Sequence, residues 1–592
     1  MKPQPTTLVI LLITLSSATA DEPTVKDRLR RLMDDVWRQQ LAAAPLFATR
    51  VGVHDYDDRL GDVSIDAEAA RVAQAKAALA RLNQIPLTRL GLSARIDWEI
   101  TRRLLEQQIE AFRVKAHLMP LTNRWGFHIA FPELPQQVPL GTVRDYENYI
   151  RRLEAFPRYT RQHIELLRQA VREGYVLPAA VLKDYDKTIS AHVVENPEAS
   201  LLYQPFSRFP PSFSAADRRR LQEAGRAAVA ESVIPAYREF LKFYQEEYLP
   251  AARQTIAAGD LPNGKAYYRW AIGVYTTLDL SPQQIHAIGK AEVERIGKEM
   301  EAVRNKVGFE GDHAAFVEYL RTEPRFYAET PEQLLQHVSW ILKRMDGQLP
   351  LLFRKLPRTP YGLRPIPDYI APKTTSAYYS QPAGDGTRAG FYYLNTYDLK
   401  SRPLYEMEAL SLHEAVPGHH LQLALAQEMQ NVHPLRRFTE LNAFVEGWAL
   451  YSERLGLEVG FYQDPYSDFG RLSFEMWRAC RLVVDTGIHA LGWSRRQAID
   501  YMKKNTALSE HNIVAEVDRY ISWPGQALGY KLGELRITAL RRKAEKELGS
   551  RFDLREFHDA ILRHGSVPLG VLDTIVEQYI ADRAGGSLSA DH

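Results

Sequence analysis

The residues best suited to chemistry lie in one run, Ser411-Leu412-His413-Glu414-Ala415-Val416-Pro417-Gly418-His419-His420-Leu421-Gln422. A histidine followed directly by glutamate sets a zinc ligand beside a carboxylate: the imidazole holds the ion and its neighbour takes a proton from the attacking water. Such sites usually repeat the histidine four residues on, where it shares a helix face with the first. Here Pro417 stands in that place and His419 follows two residues later. Pro417 lacks an N–H and its ring crowds the His413 carbonyl, while Gly418 tolerates unusual backbone angles, so a bulge or break is expected. On an unbroken helix His419 would lie about 120° from His413, and His420 about 20° away but roughly 10 Å further along. A bulge absorbing two residues would bring His419 to the ordinary position. His419 is therefore the expected second ligand, with His420 as the alternate or, failing that, a residue that orients the site or binds substrate.

A catalytic zinc takes three protein ligands and keeps a fourth position for water. Leu441, Phe444, Val445, Trp448 and Leu455 form an apolar stripe that predicts a helix, capped by Thr439 and stopped by Gly456. Glu446 lies at the border of that stripe, where a carboxylate is costly unless paired or bound to a metal. It is the expected third ligand of one zinc per chain, with Asn442 one turn earlier as support. Further on, Arg478, Arg481, Asp485 and His489 share one face of an otherwise apolar helix. Such a stripe could anchor a peptide carboxylate, form a buried ionic network or face solvent. His511 and Arg519 are weaker candidates. Gln526 and Tyr530 share a face one turn apart.

The His-Glu-x-x-Pro-Gly-His-His pattern, followed by Glu446-Gly447-Trp448-Ala449-Leu450-Tyr451, resembles the bacterial domain of unknown function 885 family. Leu280-Ser281-Pro282, Phe391-Tyr392-Tyr393-Leu394-Asn395 and Pro524-Gly525-Gln526-Ala527 carry the likeness along most of the chain. That family is grouped with the gluzincin metallopeptidases. The resemblance implies a mainly α, large helical gluzincin-like metallopeptidase fold with a central cleft and a small β-sheet just before the metal-site helix. It matches Pro417-Gly418-His419 to the end of the usual His-Glu-Phe-Gly-His motif, favouring His419. By the same likeness Tyr530 stabilises the oxyanion, and the strand Gly390 to Asn395 aligns the substrate backbone. Asn395 on that strand, Arg481 and His489 on the polar helix face, and Gln526 beside Tyr530 are the expected substrate contacts, with His420 if it is not a ligand.

The elements that must position these groups are mostly helices. Apolar residues three and four apart run through Asp145 to Glu173, Ser214 to Ala257, Ser281 to Val307 and Pro331 to Leu351. Ser281-Pro282 and Thr330-Pro331 read as helix starts. A Pro-, Gly- and Tyr-rich interval, about 357–396, interrupts the pattern and predicts a small sheet, with the metal-site helices following at about 401–456. The remaining His54, His128, His163, His286 and His564 read as packing or surface residues.

Lys2, the apolar stretch Leu8 to Leu15 and Ala18-Thr19-Ala20 read as a signal peptide over 1–20, cleaved before Asp21. Residues 21–592 then form one catalytic unit, exported to the periplasm or the medium, with no transmembrane segment. The single cysteine, Cys480, excludes an intramolecular disulfide. With 75 Lys and Arg against 73 Asp and Glu, nothing favours nucleic acid as partner. The expected activity is zinc-dependent hydrolysis of peptide bonds in oligopeptides, with Glu414 as general base. Two other readings stay open: a non-catalytic helical peptide-binding protein, and a metal-dependent amidase or esterase acting on a small molecule.

Overall fold

Reciprocal caps written in the sequence start two of the long helices. Ser281 Oγ accepts the Gln284 N–H at 3.2 Å, and Gln284 accepts the Ser281 N–H at 2.9 Å; Thr330 and Gln333 repeat the exchange. Each box satisfies amides that the first helical turn leaves unpaired. The helices that follow are α1 (Pro282–Lys306) and α2 (Pro331–Leu352). The computed structural model describes residues 24–368 and 370–585, apart from the Lys373 side chain. The expected signal peptide lies outside the described residues.

The protein is mainly helical, with one small sheet of three strands, β1 (Tyr361–Pro365), β2 (Ala377–Ser380) and β3 (Gly390–Leu394), among the described residues. β3 lies in the middle: β1 runs parallel to it with Tyr361 opposite Gly390, and β2 antiparallel with Ala377 opposite Leu394. This corrects the strand expected to meet substrate. β3 spends both backbone edges on its neighbours, and of the two outer strands, β1 and β2, it is β2 whose residues line the cleft.

After the sheet come α3 (Met407–Glu414), α4 (His419–Gln427), α5 (Asn442–Leu455), α6 (Pro465–Ala490), α7 (Glu510–Ser522) and α8 (Gly529–Leu548). α6 is buried over nearly its whole length and packs along α1, while α5 packs along α8. The α5–α8 approach requires glycine: a Cβ on Gly533 would overlap the Ala443 carbonyl oxygen, and one on Gly447 would overlap the Gly533 backbone. The largest apolar core runs through these helices, and a second core gathers Leu29, Trp37, Leu82 and Trp98 of the N-terminal helices around Leu435. Cys480 is buried. No helix among the described residues is long and apolar enough to cross a membrane.

Two boundaries differ from expectation. The helical stretch expected to reach Ala257 ends with a wide turn at Tyr244–Tyr248, because Pro250 cannot continue a helix. Thr439 is not the cap of α5; its hydroxyl donates to the Leu435 carbonyl at 2.6 Å, and α5 begins at Asn442. Gly456 stops α5 as expected, with the helix ending at Leu455; a tighter turn then carries on through Gly456–Val459 and the chain leaves at Gly460, whose φ is 78°.

Candidate metal centre

α3 ends at Glu414 and α4 begins at His419, so the chain breaks completely where Pro417 forbids a continuous helix. The Val416–Pro417 peptide bond is cis. Gly418 lies so close beneath the end of α3 that a Cβ there would overlap the carbonyl oxygens of His413 and Leu412. From α5, the Trp448 indole donates to the Pro417 carbonyl at 2.8 Å, tying the break to the helix that carries Glu446.

The break brings His413, His419 and Glu446 together, with one ligand atom of each within 4.8 Å of the others. His413 Nε2 lies 3.6 Å and His419 Nε2 3.5 Å from the same oxygen, Glu446 Oε2. That oxygen is buried without a hydrogen bond. Two tetrahedral ligands each about 2.05 Å from zinc lie about 3.3 Å apart, so these separations suit groups that share an ion better than groups that bond one another. The donor set, two imidazoles and a carboxylate, is that of catalytic zinc with one position left open. Burial would lower the His413 pKa, but the Glu446 and Glu453 carboxylates raise it to about 9. Burial would raise Glu446, yet the two imidazoles hold it well below the usual carboxylate range.

These residues line a cleft of about 350 Å³ together with Glu414, Tyr530 and the β2 segment. Glu414 is buried, which raises its carboxyl pKa, and it is not among the clustered ligand atoms. The Tyr530 ring lies nearly parallel to that of His413, their centres 6.4 Å apart. Arg478 and Arg481, one turn apart on α6, reach the same cleft, as does Arg519 from α7.

Other expected site residues are held elsewhere. Both nitrogens of His420 are engaged, Nε2 by the Thr359 carbonyl at 3.1 Å and Nδ1 by the Tyr379 hydroxyl at 2.8 Å. Burial lowers its pKa to about 4. A carbonyl only accepts, so Nε2 carries the proton and Tyr379 donates to Nδ1. His420 thus fixes Tyr379, a residue of the cleft wall, and is neither a ligand nor a substrate contact. Asn395 is buried and its amide donates to the carbonyls of Ala371, Thr374 and Thr375, clamping the loop before β2. His489 accepts the Ala258 amide and bonds the Tyr520 carbonyl inside the core. Gln526 bonds Arg519 and Asn442, and Asn442 bonds the Gln526 and Tyr275 carbonyls, so neither reaches Glu446 or the cleft. Asp485 accepts from Tyr268 and the Gly525 amide. The α6 stripe therefore divides: its arginines face the cleft and its far end is structural. His511 is exposed and away from the cleft.

The sequence reading missed Glu453. Its carboxylate accepts the His413 Nδ1–H at 2.8 Å and leaves Nε2 turned toward Glu446, the carboxylate–histidine arrangement that orients metal ligands. The signal was present, because Glu453 lies two helical turns beyond Glu446 on the same helix. Glu453→Gln should weaken zinc binding about 10- to 100-fold in competition with a chromophoric chelator; unchanged affinity would make Glu453 a bystander.

A mainly helical protein with a His-His-Glu cluster in its cleft is thus defined. The chain belongs to the family described as "Bacterial protein of unknown function (DUF885)", whose family model matches residues 45–576. Among solved structures, "the putative lipoprotein from Colwellia psychrerythraea" is 30% identical, with a TM-score of 0.89 over 95% of this chain and 100% of its own. "A putative lipoprotein of unknown function from Shewanella oneidensis" shares the fold at 18% identity, with a TM-score of 0.69 over 94% of this chain and 100% of its own. No curated protein matches the chain.

Proposed function

We propose that the protein is an exported zinc-dependent peptidase of gluzincin type that hydrolyses oligopeptides. The observation that carries this reading is the convergence of His413, His419 and Glu446 beside a buried, uncoordinated Glu414. Zinc held there supplies a Lewis acid and makes water acidic enough to react near neutral pH.

The chain's own residues supply the rest. β2, with no strand on its outer edge among the described residues, offers backbone groups to an extended peptide along the cleft wall. Glu414 takes a proton from water as the water oxygen bonds to the carbonyl carbon. The Tyr530 hydroxyl donates to the oxygen that becomes negative. When the C–N bond breaks, Glu414 passes its proton to the leaving amine, so one water is consumed and two peptides leave. Glu453 keeps His413 in the ligating tautomer, and His420 keeps Tyr379 in the wall. Export rests on the N-terminal signal pattern and on the description of both similar structures as lipoproteins in the words quoted above.

Metal content and cleavage of a mixed peptide library test the reading together. The natural chain should hold one zinc, lose activity to a chelator and regain it with zinc. His413→Ala, His419→Ala and Glu446→Ala should lose the metal, and His420→Ala should keep it. A chain that binds no zinc and cleaves nothing after zinc is added would refute the peptidase reading.

A further inference from the structure

The side of the cleft formed by α6 and α7 carries more positive charge than its hydrogen bonds use. Four guanidinium groups, Arg124, Arg478, Arg481 and Arg519, line the cavity. Glu516 serves three of them, accepting Arg481 Nη2 at 3.0 Å, Arg519 Nη2 at 2.9 Å and Arg124 Nη1 at 3.4 Å. Arg478 Nη1 donates to the Phe474 carbonyl at 3.4 Å, and its Nη2 lies 3.7 Å from Glu453, which is already bonded to His413. Two donors are left over: Arg481 Nη1 and Arg478 Nε are buried without a hydrogen bond. Their side chains are only 4% and 5% exposed, so leaving such donors unmatched is costly unless a ligand meets them.

Both groups are held rigidly. Arg481 stacks 4.3 Å from the Trp477 ring centre and 4.4 Å from that of Tyr530, and Arg478 stacks 4.5 Å from Trp477 and 4.7 Å from Phe474. A fixed, partly unmatched pair of guanidinium groups suits a carboxylate, which accepts two parallel N–H bonds. Its location narrows the choice of carboxylate. Tyr530 neighbours both Arg481 and His413, with ring contacts of 4.4 Å to the one and 6.4 Å to the other. An extended residue spans about 3.3–3.6 Å, so a peptide whose reacting carbonyl sits at His413 reaches Arg481 after one or two residues.

We infer that Arg478 and Arg481 bind the C-terminal carboxylate of the peptide, which makes the protein an exopeptidase that removes one or two residues from that end. The inference rests on the peptidase reading for its consequence and on the arginines for its binding site. The two can be tested apart.

Calorimetry on zinc-loaded Glu414→Gln protein, in which turnover is suppressed, compares a hexapeptide with a free C-terminus against the same peptide as its C-terminal amide. The amide should bind roughly thirty- to a thousandfold more weakly. Arg481→Met should abolish that preference, and Arg481→Lys should restore part of it. Because acid and amide are compared in a cleft with its arginines intact, the result does not depend on how well the Arg481 variants fold. Natural enzyme should release only single residues or dipeptides from the free-acid end. Equal affinity for acid and amide, or products cut from the chain interior, would overturn the inference. So would tight binding of an amide carrying aspartate near its end, since the anion would then be a side chain. Acid-selective binding without cleavage by the natural chain would keep the carboxylate site and refute only the peptidase reading.

Discussion

Glu414→Gln should hold zinc as the natural chain does and hydrolyse peptides about a hundred- to ten-thousandfold more slowly. Glutamine keeps the shape and buried contacts of glutamate but cannot take up the proton of the attacking water. The zinc should stay because the clustered ligand atoms belong to His413, His419 and Glu446, and Glu414 is not among them. Burial already raises the Glu414 carboxyl pKa, which brings a carboxylate closer to the basicity a neutral-pH general base needs. Steady-state kinetics on a defined peptide, with elemental analysis of the same sample, read both quantities. Activity within tenfold of the natural chain would reassign the base; loss of zinc would make Glu414 part of the metal's support.

Gly418→Ala should cost the protein its metal without touching a ligand. The added methyl would overlap the last carbonyls of α3, those of Leu412 and His413. The end of α3 is held in place, since the His413 ring is bonded to Glu453 on α5. Relief must come from moving the start of α4, which carries His419. A shift of about 1 Å is enough to spoil ligation that tolerates only about ±0.2 Å. Zinc content after dialysis against a weak chelator should fall from one per chain to near zero, with a stability loss of about 1–3 kcal/mol from overpacking. Gly347→Ala is the matched control: it lies within α2 with open space around it, and alanine there should be neutral or stabilising by about 0.5–1 kcal/mol. Full zinc retention in Gly418→Ala would mean that the turn is plastic and the ligand pair is not set by it.

How far the site was legible depended on how local its determinants are. The neighbours His413 and Glu414 can be read as a pair because adjacent residues are placed by one stretch of backbone. The caps at Ser281 and Thr330 involve partners three residues away, so the sequence contains both halves of each bond. The sheet's interval was visible through its composition, but its strand order was not: β3 follows β2 in the chain and still lies inside it. The arginine stripe shows the same limit along a helix. Arg478 and His489 share a face, yet about 16 Å of helix separates them, and their surroundings change from cleft to core.

The sequence by itself determined a mainly helical chain, one interval of sheet, and a metal-ligand type of site around His413 and Glu414, since periodicity, capping and adjacency act over a few residues. Only the tertiary structure decided between His419 and His420, because the break at Pro417 points one into the cluster with Glu446 and the other toward Tyr379 and Thr359. Only it brought Glu453 to His413 from 40 positions away, and left two buried donors unmatched on arginines that line the cleft. Each of these depends on which helix packs beside which, and that is settled by burial across the whole core rather than by any short stretch of chain.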